Sequence, residues 1–224
     1  MTTHFVNLLD ELRRRSLRMA GLVEDMLQEA CDAIFAGDEA LATRVVARDQ
    51  DVDTAEVQVE SEVIRLLALY QPVGSDLRLL CTILKVNNDL ERVADCTVNI
   101  GERVRHLSRA VGVPKNQYLK QLATLSRQVL RDSVQAYASE NSEDASRVLS
   151  MDDAVDALYG QFVKDLVSQT PTTPDEMASQ LDVLSIAKNL ERIADHATNV
   201  AEDVIFLSTG KIVRHQASFR GKGP

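Results

Sequence analysis

The chain has 224 residues, 45% hydrophobic and 26% charged, with no Trp, nine Gly and five Pro; it can bury a sizeable core, which excludes disordered, collagen-like and low-complexity classes. Its 25 Lys and Arg against 34 Asp and Glu leave a net charge of −9, without the basic footprint of a nucleic-acid binder. With 4% aromatic residues and few turn formers, long helices are favoured over sheets, and an all-α fold is expected.

The amino-terminal stretch has no basic region followed by an apolar one, since Asp10, Glu11 and Arg13 to Arg15 interrupt it. No apolar run approaches the roughly 20 residues that span a bilayer, so the chain reads as a soluble cytoplasmic protein. Helix signals then follow in order. A first helix over about residues 4 to 36 stops at Gly37, and Asp38 caps a second that runs to about Tyr70. After Gln71-Pro72-Val73-Gly74, Ser75 is expected to cap a third helix through about Val111, ended by Gly112-Val113-Pro114. A fourth covers about 115 to 140, and Ser142 is expected to cap a fifth to about Gln169. Thr173-Pro174-Asp175-Glu176 offers N-cap, N1 proline and acidic N3 for a sixth. Residues 214 to 224 are basic and poor in apolar side chains, and read as a flexible tail.

An internal repeat explains why there are six. Leu90, Glu91, Arg92, Ala94, Asp95, Asn99, Glu102, Val104 and Leu107 are identical to Leu190, Glu191, Arg192, Ala194, Asp195, Asn199, Glu202, Val204 and Leu207, at a constant offset of 100. A second match at offset 103 pairs Arg44, Asp49 and Asp53 with Arg147, Asp152 and Asp156. Two tandem, pseudo-symmetric three-helix bundles are therefore expected, over residues 1–112 and 113–213.

On a helical wheel Glu91, Asp95, Asn99 and Glu102 fall within an arc of about 80°, roughly opposite Val86, Leu90, Val93 and Val104. The stripe should therefore line a surface rather than the bundle's own core. Glu191, Asp195, Asn199 and Glu202 repeat it, and Asp49 with Asp53, like Asp152 with Asp156, adds an acidic i, i+4 pair on a neighbouring helix. Like charges at that spacing repel by a few tenths of a kcal/mol, which asks for compensating cations. Arginines such as Arg92, Arg192, Arg44, Arg147 and Arg103 would supply a solvated, ion-paired face. A divalent or trivalent metal ion on hard oxygen donors is the other answer, and both readings stand at this point.

The doubled acidic pattern, QPVGSDLRLL entering the third helix and LERIADHATNVAEDVIFLSTG near the end together resemble the PhoU family of bacterial phosphate-transport accessory and regulatory proteins, over nearly the whole chain. The resemblance implies two three-helix bundles, and multinuclear iron or zinc clusters, with manganese, nickel or magnesium as substitutes in vitro. The implied ligands are Glu91 with Asp95, Glu191 with Asp195, Asp49 with Asp53 and Asp152 with Asp156, with Asn99 and Asn199 as additional candidates. It further implies a negative regulator of phosphate-starvation signalling. Its expected partners are the membrane sensor histidine kinase and the ATPase subunit of the phosphate ABC transporter, with membrane contact only through them, homodimerisation, and Asp76 and Arg78, which by themselves also read as a helix-start charge pair, as partner-contact residues. The halves differ in places: Cys96 stands opposite His196, and Glu56 and Glu60 opposite Tyr159 and Val163.

His196 lies about 100° from Asp195 on the wheel and reads as a packed histidine. Cys31, Cys81 and Cys96 have no CxxC spacing and read as buried free thiols. No Glu-x-x-His signature, phosphate-binding glycine loop or catalytic elbow is present, so no enzymatic activity is expected. Two other classes remain in view: a carboxylate-metal bundle enzyme, which needs open coordination positions and a nucleophilic water, and a purely structural helical scaffold.

Overall fold

The computed structural model describes residues 3–107 and 116–213. The described residues are helical with no strand: α1 (Thr3–Ala36), α2 (Glu39–Ala47), α3 (Asp49–Tyr70), α4 (Ser75–His106), α5 (Gln117–Ser139), α6 (Ser142–Leu149), α7 (Asp152–Ser168) and α8 (Pro174–Thr209). The six long helices of the repeat are all there. The second and fifth are each interrupted, at Arg48 between α2 and α3 and at Ser150-Met151 between α6 and α7. Neither break carries a Gly or Pro; both fall at the same point of the repeat.

The caps hold the elements in place, with some shifts from expectation. Gly37 adopts φ +64°, and the Asp38 carboxylate accepts from the Leu41 amide at 2.9 Å. The N-cap of α4 is Gly74, at φ +62°, rather than Ser75, which is the first helical residue. Asn141, not Ser142, caps α6, its Oδ1 accepting from the Glu143 and Asp144 amides. Thr173 caps α8 as expected, but Glu176 accepts from the amide and hydroxyl of Thr172 at 2.6 and 2.8 Å, one residue upstream of a standard capping box. The third helix closes at Leu107. The expected end near Val111, the 112/113 boundary and the basic tail lie outside the described residues.

Within the first half α1, α2 and α3 pack on α4, and within the second α5, α6 and α7 pack on α8. The halves are fused along two helix pairs. Lys85 reaches Asp203 at 2.8 Å while Arg103 reaches Asp182 at 3.4 Å, so α4 and α8 run antiparallel. Similarly, Arg13 donates to the Ala138 carbonyl and the Ser16 and Tyr137 hydroxyls meet at 3.0 Å, which sets α1 antiparallel to α5. Leu, Val, Ile and Ala side chains from both halves form one continuous apolar cluster. At roughly 1.5–3 kcal/mol for each large aliphatic side chain buried, that shared core outweighs the exposed ion pairs. No described helix is long and apolar enough to cross a membrane.

Cys31 and Cys96 are buried and Cys81 is half-buried, all three as free thiols. Burial pushes the Cys31 thiol up to about 12 and the Cys96 thiol up to about 11, so neither is a reactive thiolate.

Candidate metal centre

The two helix breaks give the acidic residues their places. Asp49 opens α3 and Asp152 opens α7, where first-turn amides favour negative charge. One turn later Asp53 and Asp156 follow on the same face. The acids of α4 and α8 meet them.

In the first half Asp49 lies in the field of Asp53, Asp95 and Glu102, and its carboxyl is raised above the ordinary range, first by burial and then by those neighbours. Glu91 is raised by burial and by Asp95, Glu56 and Asp53, against the lowering effect of Arg92. Glu56 is raised by burial and by Glu60 and Asp53. Arg92 lies across the pair, 3.3 Å from Glu91 and 3.1 Å from Asp95.

The second half is tighter. One carboxylate oxygen each from Asp156, Glu191 and Asp195 lies within 4.8 Å of the others, the one group among the described residues in which three such ligand atoms come that close. Burial, then Glu191, Asp152 and Asp156, push the Asp195 carboxyl up to about 6. Lys188 opposes them, its ammonium 2.6 Å from Glu191 and 5.4 Å from the centre of the Tyr159 ring.

The stripe does face away from the core over most of its length: Asn99, Glu102 and Asp195 are exposed and Glu91, Asp95 and Glu202 half-buried, whereas Glu191 is buried. Asn199 turns elsewhere, donating from Nδ2 to Asp89 at 3.1 Å. Of the arginines named as compensating cations, Arg92 takes that role, while Arg103 is committed to Asp182 and Arg147 to Asp144. Lys188 and the buried Asp89 and Asp203 were not foreseen. Asp89 accepts from Asn199 and meets His196 Nδ1 at 2.9 Å, so His196 is a packed interface residue. The repeat carried that signal: Asp89 and His196 are two places where the halves differ, as Asn189 and Cys96, and they are each other's partners.

Asp76 and Arg78 are half-buried at the start of α4. The Arg78 guanidinium lies 3.6 Å from where a Cβ on Gly210 would sit, against the carboxyl end of α8. Asp76 Oδ2 and Arg78 Nε are buried with no hydrogen-bond partner among the described residues.

The donors suit a hard cation. They are carboxylate oxygens without thiolate or imidazole, and three already converge where burial and then mutual repulsion leave Asp195 with a raised proton affinity. Such a set fits magnesium, manganese or iron better than zinc, which prefers nitrogen and sulfur.

Comparison with known proteins places the chain and its fold. A family model described as the PhoU domain matches residues 16–104 and again 119–204. The phosphate-specific transport system accessory protein PhoU homologue of Rhizobium meliloti is 34% identical over 213 residues, spanning 92% of this chain and 90% of its own. The homologue of the same name from Aquifex aeolicus is 35% identical over 208 residues, spanning 93% and 94%. The crystal structure of PhoU from Pseudomonas aeruginosa superposes with a TM-score of 0.88 at 31% identity, covering 92% of this chain and all of that one (100%). The phosphate transport system regulatory protein PhoU from Streptococcus pneumoniae gives 0.86 at 27%, covering 93% and 99%.

Proposed function

The chain belongs to the PhoU family, and from that membership we propose that it restrains phosphate-starvation signalling and modulates phosphate uptake as an accessory protein of the phosphate transport system. Its matched relatives carry accessory and regulatory names rather than enzyme names. On this reading it works in the cytoplasm as an adaptor, touching the sensor histidine kinase and the transporter's ATPase subunit and reaching the membrane only through them. Asp76 and Arg78 belong to the partner-facing end, and the chain pairs with a second copy.

The observation that carries the site is convergence in the second half, where Asp156 of α7 and Glu191 and Asp195 of α8 bring three carboxylate oxygens together, while the matched acids of the first half lie in one another's field. Metal ions held there would tie α3 to α4 and α7 to α8 and so set the helix spacing that partners meet. Asp49, Asp53, Glu91 and Asp95 are the proposed ligands of the first cluster. Asp152, Asp156, Glu191 and Asp195 are those of the second, with oxygen-preferring iron favoured over zinc.

Deleting the chain should turn on a phosphate-starvation reporter in phosphate-rich medium. The wild-type chain should restore repression and a variant carrying Asp95→Ala with Asp195→Ala should not. Unaltered repression after deletion would overturn the regulatory reading. Element analysis of protein purified without chelator tests the ligand assignment separately, since the double variant should lose the metal that wild type retains.

A further inference from the structure

Each acidic cluster carries a cation of its own, and the two come from different positions. In the second half Lys188 reaches forward one turn of α8 to Glu191, whose side chain is 12% exposed, and the same ammonium lies over the face of Tyr159 on α7. In the repeat, the places of Lys188 and Tyr159 are taken in the first half by Asn88 and Glu56, which can form neither contact. There the cation is Arg92, spanning Glu91 and Asp95. Three converging carboxylates repel one another, and an ammonium at 2.6 Å from one of them partly neutralises the group. The Tyr159 ring adds a cation-π seat that keeps the charge beside the cluster rather than in solvent.

We propose that each cluster is held assembled by a counter-cation from the chain itself, Lys188 in the second half and Arg92 in the first, which must leave its carboxylates when a metal ion is bound. The inference rests on the metal-site reading above. Because the ligands are already paired, cation loading is an exchange, weaker and more reversible than binding to bare carboxylates. The two halves exchange different groups: a point-charge ammonium in a half-covered seat, and a solvent-facing guanidinium fork. Their metal affinities can therefore be set independently.

The test uses the full chain, stripped with chelator and titrated with manganese(II), bound metal being counted by native mass spectrometry. Asp95→Asn and Asp195→Asn assign binding events to the first and second half. Lys188→Met should tighten the second-half event by roughly tenfold and leave the first unchanged, and Arg92→Met should do the reverse. Arg18→Met, which removes a charge paired with Glu11 on α1, sets the baseline for bulk charge and should move neither event. Displacement is read directly by acetylation: manganese saturation should speed labelling of Lys188 and not of Lys85, which stays on Asp203. Affinities that shift no more than in Arg18→Met, or Lys188 labelling unaffected by saturation, would overturn the proposal. No manganese bound by any form would overturn the metal-site reading beneath it, an outcome distinct from binding without displacement.

Discussion

Asp89 shows how much one buried side chain can decide. It is almost fully covered between α4 and α8, where His196 and Asn199 satisfy it. Asp89→Ala strands both partners at the interface and should lower stability by about 1–3 kcal/mol, read as a drop in the urea unfolding midpoint. A midpoint equal to wild type would show that water replaces the carboxylate without loss. Asp195 poses a different question, because its carboxyl titrates at about 6 in the fold against an ordinary 3.8. Between those values the folded chain keeps a proton that the unfolded chain has released. Its contribution to stability is therefore complete below the unfolded value and is lost as pH rises through about 6. Asp49, Glu56 and Glu91 are raised too and act in the same direction. The chelator-stripped chain should lose stability from pH 5 to 7, and Asp195→Asn should flatten that slope; an unchanged slope would remove Asp195 from the account. Solvent screening at this partly exposed group keeps the effect small.

At the scale of elements, α2 matters more than its nine residues suggest. It lies against α4 at Gly101, where a Cβ would come within 3.1 Å of the Ala42 carbonyl and 3.2 Å of Val46. Just beyond this contact the chain turns at Arg48 and places Asp49, at the head of α3, in the field of Asp95 and Glu102. In an ordinary exposed helix, replacing Gly stabilises by up to about 1 kcal/mol. Gly101→Val should instead cost about 1–3 kcal/mol by overpacking α2, measured by thermal unfolding, and a rise in Tm would refute the packing argument. The second half has fully buried Ala201 at the equivalent position. Helix ends were largely legible in the sequence, because Gly37, Asp38, Thr173 and Pro174 act through local backbone chemistry. The two breaks were not: Arg48 and Ser150-Met151 carry no breaker residue, and the short helices that precede them pack on α4 and α8.

For the whole molecule, the decisive contacts are the two antiparallel pairings across the repeat, α4 with α8 and α1 with α5. Buried Asp203 with Lys85, and the Ser16–Tyr137 hydroxyl contact inside the core, bind the halves to each other. The chain has no Trp, so Tyr70→Trp in the first half and Tyr118→Trp in the second give separate fluorescent reporters. Their denaturation midpoints should coincide, since one continuous core predicts a single cooperative transition. Two separated transitions would mean that the halves are independent domains. Helical class, six-helix repeat and acidic pairs follow from the sequence alone, because hydrophobic period, capping chemistry and internal identity are local or self-comparing signals. Where the helices break, how the halves join and which distant side chains meet were decided only by the tertiary structure. Lys188 with Tyr159, Asp89 with His196 and Lys85 with Asp203 lie 29, 107 and 118 residues apart, and no local pattern specifies which distant side chain the packed core brings within reach.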